Sequence, residues 1–175
     1  MPGNLVGNKV VVEDAKEANK LYNRGRYGAL EGEKLTLSLV EALYLVERGK
    51  LRVFKGEQEL DYDSLLKLAA DLEPRFWVRY CVYRDIRRRG YITKTALKYG
   101  ADFRVYEKGI KIREPKEKRE HSKYLVVVLK DSEPFDVKGL VALNRIAHSV
   151  KKELILAIVD KELDITYIKC KRFIP

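Results

Sequence analysis

Apolar positions recur with two different periods along this 175-residue chain, and each change of period marks an element. Leu5 to Val12 is rich in branched apolar residues and predicts a strand, after which Asp14 caps a helix reaching about Asn23. Glycines between Arg24 and Gly32 predict a turn. From Ser38 to Glu47 the pattern is helical, with Gly49 as the stop. Leu51 to Phe54 predicts a short strand turned at Lys55-Gly56-Glu57, and Asp63 caps a helix to Asp71. Glu73-Pro74 then breaks the pattern, which predicts a small N-terminal α/β domain over 1–74 and a second domain over 75–175.

The second half opens with a helix from Phe76 to Arg89 stopped by Gly90, and Thr93 is expected to cap a short helix ending at Gly100. Asp102 to Tyr106 alternates, which turns Phe103 and Val105 inward and Asp102, Arg104 and Tyr106 to the other face. Tyr124 to Leu129 and Leu154 to Val159 are apolar enough for central strands. Between them, Val137 to Lys152 predicts a helix. Its stripe of Leu140, Leu143, Ala147 and Val150, continued by Leu154, opposes Arg145, Ser149 and Lys152, with His148 at the border. A charged turn, Asp160 to Asp164, precedes a closing strand. Helices alternating with apolar strands predict an α/β (α+β) fold, a mixed sheet flanked by helices.

Charge sharpens this picture. The formal net charge is +10, from 36 Lys and Arg against 26 Asp and Glu. The cations cluster at Arg84, Arg87, Arg88 and Arg89 and in the loop from Lys108 to Lys123, which includes the very basic Arg113 to Arg119. Clustered cations bind a polyanion by releasing its counterions, so nucleic acid is the expected partner. No apolar run is long enough to span a bilayer. Cys81 and Cys170 stand apart, which suggests neither a disulfide framework nor a zinc site and fits a reducing cytoplasm. With 35% charged residues and one methionine, the composition resembles that of heat-adapted proteins.

Few residues are suited to proton chemistry. The chain has two histidines, and His121, beside the basic loop, is the better acid-base candidate than His148 on its helix. Tyr106, His121 and Lys152, with no carboxylate cluster beside them, suit phosphodiester cleavage that uses neither metal nor cofactor. The cationic balance makes RNA the expected carrier.

Four strings carry a family resemblance: Tyr83-Arg-Asp-Ile-Arg-Arg-Arg-Gly-Tyr-Ile92, Lys98-Tyr-Gly-Ala-Asp-Phe-Arg-Val-Tyr106, His121-Ser-Lys-Tyr124 and Arg145-Ile-Ala-His-Ser-Val-Lys-Lys152. In this order they resemble the archaeal tRNA-splicing endonucleases, over about residues 80 to 168. The resemblance implies an N-terminal α/β domain for scaffolding or assembly and a restriction-endonuclease-like catalytic domain. It implies cutting of precursor tRNA at both junctions of a bulge-helix-bulge fold, leaving 2′,3′-cyclic phosphate and 5′-hydroxyl ends. Tyr106 would be the general base, His121 the general acid, and Lys152 the partner of the phosphorane charge. Arg145 would stack on a flipped-out base, with Lys169 or Arg172 as its counterpart. Asp160, Glu162 and Asp164 would form an acidic loop that docks into a partner subunit. A chain with both features suggests a homotetramer, although some relatives need a separate structural chain.

Two other readings remain at this point. A metal-dependent nuclease would use Asp102 with Glu114-Pro-Lys116, although Pro115 interrupts the strand that motif needs. A non-catalytic helix-turn-helix would use the helix to Arg89 and the one expected from Thr93.

Overall fold

The computed structural model describes residues 1–109 and 121–175, which divide into two compact units, Met1–Tyr80 and Cys81–Pro175. Most of the basic loop, with Arg113 to Arg119 and the Glu114-Pro-Lys116 string, lies outside the described residues.

In the first unit, β1 (Pro2–Val6), β2 (Lys9–Val12), α1 (Ala15–Gly25), β3 (Ala29–Glu31), β4 (Lys34–Ser38), α2 (Leu39–Glu47), β5 (Arg52–Lys55), β6 (Gln58–Leu60) and α3 (Tyr62–Leu72) follow one another. Their strands form one sheet in the order β3-β4-β2-β1-β5-β6. Two sequence expectations are corrected. Leu5 to Val12 is two strands, because Val6 pairs with Lys9 and Gly7 turns the chain at φ 61°. The helix after β6 is capped by Asp61, whose carboxylate accepts from Ser64 N at 2.8 Å, and not by Asp63.

The hub of this unit is α2, whose Leu39, Val40, Ala42, Leu43 and Leu45 are almost fully buried. Such a helix end needs its own partners for the first N–H groups. Ser38 and Glu41 supply them as a reciprocal capping box. Glu41, itself 4% exposed, accepts from Ser38 N and, on its other oxygen, from Gly28 N, each at 2.9 Å. Gly28 has φ 65°, and a Cβ there would sit 2.4 Å from the Thr36 carbonyl oxygen. Only glycine fits that approach.

The second unit takes over within α4 (Phe76–Arg88). It continues through β7 (Thr93–Thr95), a 3₁₀ turn at Leu97–Tyr99, β8 (Phe103–Val105), β9 (Tyr124–Lys130), α5 (Val137–Ser149), β10 (Glu153–Val159) and β11 (Ile165–Cys170). The sheet order is β11-β10-β9-β8-β7, and only β9 and β10 run parallel, joined by α5 as the crossover. Thr93 opens a strand paired with β8, so the helix expected there is absent and the helix-turn-helix reading loses its second helix. Alternating β residues satisfy the ladder at Thr93–Thr95, where a two-turn helix would leave β8 an open edge.

Each face of this sheet is covered. On one, the Tyr83 ring lies 5.6 Å from Phe103, and Asp85 accepts from Tyr167 at 2.6 Å. The other face receives the predicted α5 stripe: Ala147 joins Leu125, Leu154 and Leu156 in the core, with Leu140, Leu143 and Val150 packed against them. Arg87, expected within a solvated basic cluster, is 9% exposed and donates to the Tyr83 hydroxyl at 3.0 Å and to the Thr93 carbonyl at 2.9 Å. It holds α4 to β7.

Candidate active site at one end of the second sheet

Strand direction brings the candidate residues together. β8 runs antiparallel to β9 and β9 parallel to β10, so the end of β8 and the starts of β9 and β10 share one end of the sheet. The last paired row is Val105, Tyr124 and Glu153. The ladder continues past it: Lys123 N donates to Val105 O at 2.9 Å, and Glu153 N to Lys123 O at 2.9 Å. The next row is therefore Tyr106, Lys123 and Lys152. Tyr106 and Lys152 flank Lys123 on neighbouring strands, about 10 Å apart at their backbones. His121 precedes Lys123 by two residues at the same end.

The three differ in setting. Tyr106 is 9% exposed, so it does not lie on an open face as the alternation suggests; its N–H donates to Ile92 O at 3.0 Å. His121 is exposed, next to the buried Ser122. Lys152 is not on the helix as expected. α5 ends at Ser149, Lys151 adopts φ 57°, and Lys152 N then bonds to Ala147 O at 2.8 Å. This left-handed step turns the side chain inward, where Nζ donates to the Ser122 carbonyl at 2.7 Å. One bond thus ties the residue beside His121 to Lys152.

Burial lowers the Lys152 pKa below its ordinary 10.5; Tyr99 opposes this, while the charges of Arg104 and Lys98 add to it. Among the described residues, none of Lys98, Arg104 and Lys152 forms an ion pair. Lys98 stands over the Tyr99 ring at 4.9 Å, and the Arg104 Nε is buried without a hydrogen-bond partner. Sequence alternation put Arg104 on the Tyr106 face but gave it no role; Lys98 and Ser122 stood within the resemblance strings, also without a role.

A groove of ≈ 290 Å³ adjoins the site, lined by Asn144, His148, Lys151, Lys152, Lys171 and Arg172, among others. Arg145 is exposed on α5 beside Asn144. Register separates the two candidates for its counterpart. Arg172 lines the Lys152 groove, whereas Lys169 is on the other face, 3.6 Å from Glu153. That face holds a second cavity of ≈ 410 Å³ bounded by Ile86, Tyr91, Val105, Tyr124, Tyr167 and Lys169, among others. Burial and the bond to Asp85 raise the Tyr167 pKa.

The acidic turn lies at the opposite end of the sheet, after β10. Asp160 Oδ1 accepts from Glu162 N at 2.9 Å and Asp164 N at 3.0 Å, and Leu163 takes φ 66°. Asp160 builds the turn, while Glu162 and Asp164 are exposed. Asp102, the carboxylate of the metal alternative, accepts from Val128 N at 2.7 Å. Among the described residues no three His, Cys, Asp or Glu gather.

An α/β unit with cationic groups at one strand end matches a known enzyme class in sequence as well. Residues 76–167 match the tRNA intron endonuclease catalytic C-terminal domain, and residues 1–66 its N-terminal domain. The chain belongs to the tRNA intron endonuclease family and is an endonuclease. It is 43% identical over 165 residues to the tRNA-splicing endonuclease of Pyrococcus abyssi, covering 94% of this chain and 92% of that protein. The tRNA-splicing endonuclease of Thermococcus onnurineus is 41% identical over the same shares. That of Methanothermobacter thermautotrophicus is 39% identical, over 94% of this chain and 93% of that protein. No helix among the described residues is long and apolar enough to cross a membrane.

Proposed function

We propose that this endonuclease removes introns from precursor tRNA by cutting both junctions of a bulge-helix-bulge RNA, without a metal or other cofactor. The reading rests on one observation: Tyr106, His121 and Lys152, far apart in sequence, adjoin one end of a single sheet. The ribose 2′-oxygen forms a bond to the adjacent phosphorus while the bond from phosphorus to the 5′-oxygen breaks. The 2′-proton passes to the Tyr106 oxygen, which enters the step as the phenolate and leaves it as the phenol, and protonated His121 gives a proton to the departing 5′-oxygen. Lys152 carries a positive charge beside the phosphorane; one of its three N–H donors is held by Ser122, which leaves two for phosphate. Products end in 2′,3′-cyclic phosphate and 5′-hydroxyl.

Arg145 and Arg172 are the base contacts in this scheme. Arg172 is preferred to Lys169 because it shares the Lys152 groove. The exposed carboxylates Glu162 and Asp164, on a turn braced by Asp160, dock into a second copy, and four copies form the enzyme. Residues 1–74 serve that assembly, and the enzyme works in the cytoplasm.

The test is cleavage of a bulge-helix-bulge RNA in EDTA by wild type and His121→Ala, with end analysis. Cyclic-phosphate ends from wild type and a rate lowered by about 10²-fold or more in the variant are expected. Cleavage that appears only with added magnesium would sink the reading.

A further inference from the structure

Arg104 is the middle residue of β8 and lies in one cross-strand row with Leu125 and Leu154. Those leucines are each 1% exposed and belong to the α5-covered face. Tyr106 and Lys152 continue this face by two residues along their own strands. At about 3.3 Å per residue, the Arg104 backbone lies roughly 7 Å from that of Tyr106. The guanidinium stem therefore starts from packed apolar surface directly behind the candidate site.

Its head group has no counterpart among the described residues. Nε is buried and makes no hydrogen bond. A buried N–H donor left unsatisfied costs about 1–3 kcal/mol, so such groups call for an explanation. Flanking carboxylates face other groups: Asp102 accepts from Val128 N, Glu107 pairs with Lys123 at 2.8 Å, and Glu153 lies 3.6 Å from Lys169 on the opposite face, its Oε2 buried without a hydrogen bond. Among the described residues, no anion neutralises Arg104, Lys98 and Lys152; burial is the main cause that lowers the Lys152 pKa, Tyr99 opposes it, and the charges of Arg104 and Lys98 add to it. A cationic group of this kind is costly when empty and relieved when an anion arrives.

We infer that Arg104 is a further catalytic residue, its guanidinium donating to a non-bridging oxygen of the scissile phosphate and sharing the phosphorane charge with Lys152. This rests on the reaction proposed above. Guanidinium suits the task because it stays charged at any working pH and holds its donors in a fixed plane. Lysine at this position would keep the charge and lose that geometry.

The experiment compares wild type, Arg104→Gln and Arg104→Lys in single-turnover cleavage of a bulge-helix-bulge RNA in EDTA. The substrate carries either phosphate oxygen or one sulfur of defined stereochemistry at the cut. Arg104→Gln is expected to slow cleavage by about 10²-fold, with RNA affinity changed less than tenfold and the melting temperature kept. Arg104→Lys should recover part of the rate. Sulfur at the contacted position should slow wild type but affect Arg104→Gln much less, an effect that a merely structural arginine would not produce. A rate within threefold of wild type, or a sulfur effect unchanged in Arg104→Gln, overturns the inference. Titration of inorganic phosphate gives an arm independent of cleavage: Arg104→Gln should bind it at least tenfold more weakly, and equal binding overturns the inference. If wild type leaves the RNA uncut, the proposed reaction falls, and the phosphate titration alone decides on Arg104.

Discussion

Replacing Lys152 by glutamine separates the electrostatic role of this side chain from its packing. Glutamine keeps an N–H donor, one bond shorter in reach, and removes the charge. Two effects on stability oppose each other. The bond from Nζ to the Ser122 carbonyl, at 2.7 Å, is charge-assisted, and such bonds contribute about 1.5–3 kcal/mol. Against that stands the cost of holding an ammonium where burial and the charges of Arg104 and Lys98 lower its pKa. The variant should therefore stay within about 1 kcal/mol of wild type, or a few degrees in melting temperature for a chain of this size. Activity should respond far more strongly. Removing one preorganised donor from a developing oxyanion costs about 10²–10³ in rate. Single-turnover cleavage beside calorimetry reads both quantities.

The pH dependence supplies a second check with a definite sign. Because the folded pKa of Lys152 lies below the unfolded value, near 10.5, its protonated form counts against folding at neutral pH. That cost disappears as pH rises through the folded value toward the unfolded one. The charge that aids cleavage disappears over the same interval, so the alkaline limb of activity should begin below the ordinary lysine range. Lys152→Gln should lack both effects. Cleavage by the variant within threefold of wild type would refute the reasoning, as would a loss of activity that only follows unfolding.

Two further outcomes test the scaffold. Gly28→Ala should destabilise the first unit by at least about 2 kcal/mol, because φ is 65° and the Thr36 carbonyl blocks a Cβ; urea unfolding within 0.5 kcal/mol of wild type would contradict this. Asp160→Ala should speed amide exchange at Glu162 and Asp164, whose N–H groups it accepts, whereas Glu162→Ala should leave the Asp164 amide protected.

Much of the fold was legible along the chain because burial imposes periodicity. The α5 stripe and the apolar runs of β9 and β10 could be read from spacing, since a covered sheet face and a covering helix admit few polar residues. Short strands were harder. Thr93–Thr95 carries too few residues to show a period, and only pairing with β8 makes it a strand. The hairpin at Gly7 was hidden for the converse reason, since apolar residues run through both of its arms.

The chemically distinctive residues were also visible from type and motif. What sequence by itself determined was the supply: a tyrosine, a histidine and lysines in a cationic chain. Their meeting was decided by strand direction, one antiparallel and one parallel step that bring three distant segments to one sheet end. Tertiary contacts likewise decided which charges are free. Arg87 is used up inside α4 and β7, while Arg104 Nε has no hydrogen-bond partner among the described residues. Nothing local distinguishes those two arginines, because the availability of a charge depends on which carbonyls and carboxylates the fold brings within reach.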